Sequence, residues 1–78
     1  MEQEFLQKFK AVLENPEMSI KMEDRFREYE DWSSLAFLSL IAMIDEEYDV
    51  IIEGKEFREL HTVGDILDAV KAQQLVSK

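Results

Sequence analysis

There is no cysteine among the 78 residues, only one histidine, one proline and two glycines, and the nine basic residues face 18 acidic ones. Each shortage excludes something. Without cysteine there is no disulfide, no thiolate metal ligand and no thiol nucleophile, a composition that fits a reducing compartment. With His61 the one histidine, the sequence shows no nucleophile–base pair and no metal-ligand cluster, so the chain does not read as an enzyme, and His61 is expected at the surface. A net charge of −9 argues against nucleic acid, whose phosphates call for Lys and Arg, and against anionic membrane surfaces. It favours protein partners with basic patches, met in brief, steered encounters. The longest apolar run, Leu35 to Ile44, is interrupted by Ser39 and too short to span a bilayer. The opening Met1-Glu2-Gln3-Glu4 is acidic where a secretory leader is basic and then apolar, so the expected location is the cytoplasm. A chain of this length is expected to form one domain, residues 1–78, with most of its Leu, Ile, Val and Phe inside.

What is present is organised around one stretch. Asp31-Trp32-Ser33-Ser34-Leu35 leads into the apolar segment 36–44, which ends in the acidic cluster Asp45-Glu46-Glu47-Tyr48-Asp49. Side-chain oxygens of Ser and Asp accept hydrogen bonds from the unpaired N–H groups of a first helical turn. The pattern predicts a helix from about Ser34 to Tyr48, capped by Ser33 or Ser34. A serine there is exposed, rigidly held and at the positive end of the helix dipole, where an attached phosphate is stabilised.

The flanking segments read as scaffold. Phe5, Leu6, Phe9, Val12 and Leu13 form the stripe of a first helix that Asn15-Pro16 ends. Residues 17–32 mix charge with Met18, Ile20, Met22 and Phe26, and predict an ordered loop pinned by Ile20, Phe26 and Trp32, with a helical turn near Glu23–Arg27. Val50-Ile51-Ile52 is expected as a buried extended connector, and 55–60 as a short turn with Phe57 and Leu60 inward. Thr62 and Asp65 form a capping-box-like pair before a last helix carrying Val63, Ile66, Leu67 and Val70 and fraying near Gln73 or Gln74. Three main helices and a short one predict an all-α, four-helix bundle.

Taken together, Ser34-Leu35, the upstream Phe26, the segment Ile44-Asp45-Glu46-Glu47-Tyr48-Asp49 and Thr62-Val63-Gly64-Asp65, in this order and spacing, resemble the acyl carrier proteins. The resemblance runs from about Phe26 to Ala72 and, less specifically, over the first helix. It implies 4′-phosphopantetheine joined covalently to the Ser34 hydroxyl through a phosphodiester, with the terminal thiol of that group carrying acyl or aminoacyl units as thioesters between enzymes. That would account for a carrier without cysteine, since the chemistry belongs to the cofactor. Implied partners are a phosphopantetheinyl transferase and acyl ligases, synthases or acyltransferases with basic surfaces, and a monomer is expected. Ser33 stands where the family has aspartate, and Ala36 and Ser39 stand where carboxylates are common on the exposed side of the second helix. Together with Trp32, these departures point away from general fatty-acid synthesis and toward a specialised stand-alone carrier.

Leu35 and Met43 are expected to lie partly outside the core stripe and, with Glu46 and Glu47, to form a docking surface. Phe37, Leu38, Ile41, Ile44 and Tyr48 are expected as core side chains that could also line an acyl pocket. The rival reading is an unmodified helical interaction module using the same face. Ser34→Ala separates the two readings, abolishing function in the first and removing at most a cap in the second.

Overall fold

The first helix is built on Phe5 and Phe9, with Leu13 continuing their four-residue spacing just past its end, all three buried, and its glutamates exposed. The computed structural model describes residues 2–15 and 17–76, and in it this helix is α1 (Glu2–Val12). Then follow a 3-10 turn at Phe26–Glu28, α2 (Ser34–Tyr48), α3 (Gly54–Phe57) and α4 (Val63–Val76), an all-α bundle among the described residues.

The end of α1 is set before Asn15 is reached. The N–H of Asn15 donates to the Lys10 carbonyl at 3.2 Å and that of Glu14 to Ala11 at 3.0 Å, while Glu14 adopts φ 58°. This is a Schellman closure, in which the residue just past the helix takes the left-handed conformation that glycine accepts most easily. At the end of α2, Asp49 likewise has φ 57° and ψ 42°, and its N–H donates to Asp45.

The connection to α2 is ordered, as expected, with Ile20 and Phe26 buried. Its helical turn lies at Phe26–Glu28, slightly later than the charge pattern suggested. Two of its carbonyls satisfy the start of α4: Val63 N–H donates to Asp24 at 3.0 Å and Gly64 N–H to Met22 at 2.8 Å. The backbones approach so closely that a Cβ at Gly64 would stand 3.1 Å from the Met22 carbonyl oxygen. Asp24 ties the loop further, accepting from the Lys21 N–H at 3.0 Å and the Tyr29 hydroxyl at 2.8 Å. Burial, then this bond and the Asp24 charge, push the Tyr29 phenol well above its ordinary pKa.

Thr62 and Asp65 form the reciprocal cap: the Asp65 N–H donates to Thr62 Oγ1 at 3.1 Å, and Asp65 Oδ2 accepts from the Thr62 N–H at 3.1 Å. The same oxygen accepts from the His61 N–H at 2.9 Å. His61 is exposed.

Four expectations are corrected. Ile51 is exposed, because an extended backbone alternates its side chains and Val50 and Ile52 take the inward positions. The last helix does not fray at Gln73 or Gln74 but runs to Val76. There Gln73 donates to the Glu56 carboxylate at 3.1 Å and Gln74 to the Tyr48 carbonyl at 3.4 Å, tying the final turns to α3 and α2. Ala36 is buried, so it cannot stand on the exposed side of α2. Leu38, expected in the core, is 61% exposed.

Candidate functional site

Ser33 sits just outside α2 with φ −155° and ψ 175°, and its Oγ accepts the Ala36 N–H at 3.1 Å. The next residue, Ser34, is the first of the helix proper; it is exposed, and no hydrogen bond engages its hydroxyl among the described residues. The two serines have therefore divided the work that sequence left open between them. Ser33 closes the helix start, and Ser34 presents a free hydroxyl. The N–H groups of Ser34 and Leu35 are also without partners among the described residues, so the positive end of a 15-residue helix faces the ground beside that hydroxyl.

What holds the two serines in place is the residue before them. Trp32 is half-buried, stacked on Phe57 of α3 with centroids 6.2 Å apart and planes 9° apart, and on Phe9 of α1 at 6.4 Å and 21°. It also meets Phe26 in a T-shaped contact, with centroids 4.9 Å apart. One indole thus joins α1, the loop and α3 directly behind the start of α2. Phe37, one turn into α2, meets Phe57 edge-on at 4.9 Å. Between these parts lies a cleft of about 340 Å³ lined by Arg27, Trp32, Ser33, Ser34, Phe37 and Phe57. The volume is at the lower end of the range for small-molecule sites.

Arg27 was not singled out by sequence, because a lone arginine in a charged loop carries no signal of its own. Its Nη2 donates to the Phe57 carbonyl at 3.0 Å and its Nη1 to the Leu60 carbonyl. The guanidinium lies over the rings of Phe26 and Phe57, 4.7 and 5.4 Å from their centroids. It thereby gives the Phe57 carbonyl, which already accepts the Leu60 N–H at 3.0 Å, a second donor, engages the Leu60 carbonyl beyond α3, and fixes this segment against the loop.

The outer face of α2 is defined by what the inner face takes. Ala36, Leu40, Ile44 and Tyr48 are buried at intervals of four, with Phe37 and Ile41 partly covered beside them. At about 100° per residue, Leu35, Leu38, Ala42 and Glu46 fall within an arc of about 80° on the opposite side. Leu35 is 72% and Leu38 61% exposed, and Ala42 and Glu46 are exposed too. Met43 lies on the flank, half-buried against the core. Glu47 turns toward α1, where it and Glu4 meet Lys8 at 3.3 and 2.8 Å. So Leu35 and Glu46 share the face away from the core, Met43 stands at its margin, and Glu47 lies on the α1 side, apart from them. Leu38 belongs to that face and was missed, although its three-residue spacing from Leu35 was there to be read.

No group of three or more metal-ligating side chains is assembled among the described residues, and no helix is long and apolar enough to cross a membrane. The free hydroxyl, the cleft beside it and the unpaired N–H groups suit a covalently attached, anionic, elongated group. A family model described as "Phosphopantetheine attachment site" matches residues 3–70. The solution NMR structure of a holo acyl carrier protein from Geobacter metallireducens is similar in fold, with a TM-score of 0.83 and 21% identity over 96% of this chain and 86% of that one.

Proposed function

Because the chain belongs to the phosphopantetheine attachment family, whose members are carriers rather than enzymes, we propose that its Ser34 hydroxyl bears 4′-phosphopantetheine and that it shuttles an acyl or aminoacyl group between enzymes. The observation that carries this reading is the unengaged, exposed Ser34 hydroxyl beside a serine already used as the cap. When bound, the prosthetic group supplies a thiol that forms thioesters, chemistry for which this chain has no side chain of its own.

The residues of the chain supply position. Ser33 and Trp32 fix where the Ser34 oxygen stands, and the unpaired N–H groups of Ser34 and Leu35 offer favourable ground to the phosphodiester. Partner enzymes dock on the outward face of α2, with Leu35 and Leu38 nearest the serine, Glu46 about three turns further on and Met43 at the margin, while Glu47, paired with Lys8 on the α1 side, takes part only where a partner also reaches α1. Ser39 stands where carriers of this kind usually present a carboxylate, and with Ala36 it leaves this part of α2 less acidic, which favours a few dedicated partners over the general fatty-acid enzymes. The acidic charge of the whole chain draws partners with basic surfaces, and 78 residues act as one monomeric unit in the cytoplasm.

Incubation with a broad-specificity phosphopantetheinyl transferase and coenzyme A tests this. The wild type gains the mass of one phosphopantetheine, and Ser34→Ala gains none. A wild type that stays unmodified, even with its cognate transferase, supports the rival reading of an interaction module without cofactor.

A further inference from the structure

We propose that Arg27 is a positioning residue for the prosthetic group, its guanidinium holding the phosphodiester on Ser34 against the aromatic cleft. The inference rests on Ser34 being the attachment point. It begins from an imbalance of charge. Basic residues are outnumbered two to one, nine against 18, so a cation in this chain has carboxylates to choose from. Lys8 takes two of them. Among the described residues Lys8 is the one basic side chain paired with a carboxylate, so Arg27 shares its lack of an ion pair with the other basic residues and differs from them in being anchored. Both its hydrogen-bond acceptors are neutral carbonyls, of Phe57 and Leu60, and both its flat contacts are phenyl rings. The positive charge is therefore fixed in place but not cancelled.

Its spare donors point the same way. A guanidinium has five N–H donors in a rigid fork, and two hydrogen bonds leave others free on a residue that is exposed. These can reach an anion without giving up the carbonyls that hold the side chain. Arginine suits phosphate oxygens better than lysine does, because the fork matches two oxygens at once. Among the described residues Arg27 is the one charged residue lining the cleft, and Ser34 lines the same cleft. Trp32, Phe37 and Phe57 supply apolar walls on which the arm beyond the phosphate can lie. An anion attached at Ser34 thus meets helix N–H groups on one side and an uncompensated guanidinium across the cleft.

The test uses the full chain in its unmodified and phosphopantetheinylated forms, with no acyl cargo, so that the phosphodiester is the added anion. Conversion is first verified by mass. In ¹⁵N-labelled protein the Arg27 Nε–Hε resonance shifts on conversion, and the ³¹P resonance of the attached group differs between wild type and Arg27→Gln. Because Arg27→Gln also loses the carbonyl bonds and destabilises both forms, the quantity compared is the Tm difference between modified and unmodified protein. In wild type, modification raises Tm at low salt and less at high salt; in Arg27→Gln the gain is lost, and Arg27→Lys keeps part of it. An Arg27 resonance unmoved in modified protein, or an equal Tm gain in Arg27→Gln, overturns the inference and leaves the carrier reading intact. Failure of the wild type to accept the group at all removes both.

Discussion

At Ser33 the extended backbone turns the hydroxyl back toward the helix it precedes, and one residue later the same chemical group faces solvent. Ser33→Ala should therefore lower stability by about 0.5–2 kcal/mol, the usual range for a lost N-cap, while Ser34→Ala changes it little. Urea unfolding of the two variants measures the contrast directly. Asp65 gives a second prediction. The N–H groups of His61 and then Thr62 donate to its carboxylate and lower its pKa below the ordinary 3.8. A group whose folded pKa is depressed contributes stability fully above its unfolded pKa and loses it as pH falls through the folded value. Acid unfolding of wild type should thus lose stability below about pH 3.8 in a way that Asp65→Asn does not, and titration from pH 5 to 2 checks it.

Among the elements, the start of each helix was easier to read than its end. Ser33 and the Thr62/Asp65 pair announce themselves, because side-chain caps use particular residue types at fixed offsets. The ends of α1 and α2 rest on Glu14 and Asp49 in the left-handed region, where the backbone alone makes the closure. Glutamate is poorly suited to that conformation, so Glu14→Gly should raise stability by about 0.5–1 kcal/mol in thermal or urea unfolding. The far end of α4 was misjudged for a related reason: Gln73 and Gln74 bond to Glu56 and to the Tyr48 carbonyl, partners 17 and 26 residues away that periodicity cannot see. Helix α2 hid its faces differently. Being apolar on nearly every side, it gave no polar stripe to mark the outside, so Leu38 passed for core and Ala36 for surface. Trp32 and Phe26 were legible as anchors of the loop, but not that Trp32 stacks on both α1 and α3. Arg27 was silent altogether, since its role depends on carbonyls 30 and 33 residues on.

For the whole molecule, the distribution of charge and apolar surface on α2 sets how partners are met. In the proposed docking mode the net charge of −9 steers basic surfaces toward the chain, and contact beside Ser34 is made through the exposed Leu35 and Leu38. Leu38→Ser should lower the kcat/KM of a cognate enzyme acting on Ser34 about tenfold, the equivalent of 1.4 kcal/mol, with Tm nearly unchanged because the side chain is already exposed. Glu46→Gln should act mainly through association rate and fade at high salt. Steady-state kinetics at two ionic strengths separates these effects. The central claim is narrower than either: of two adjacent serines, Ser33 caps the helix and Ser34 carries the prosthetic group. Fragmentation mass spectrometry of the modified chain, cleaving between those two residues, tests it most directly. The account predicts the added phosphopantetheine mass on fragments that retain Ser34 and none on fragments that end at Ser33; the group found on Ser33 would contradict it.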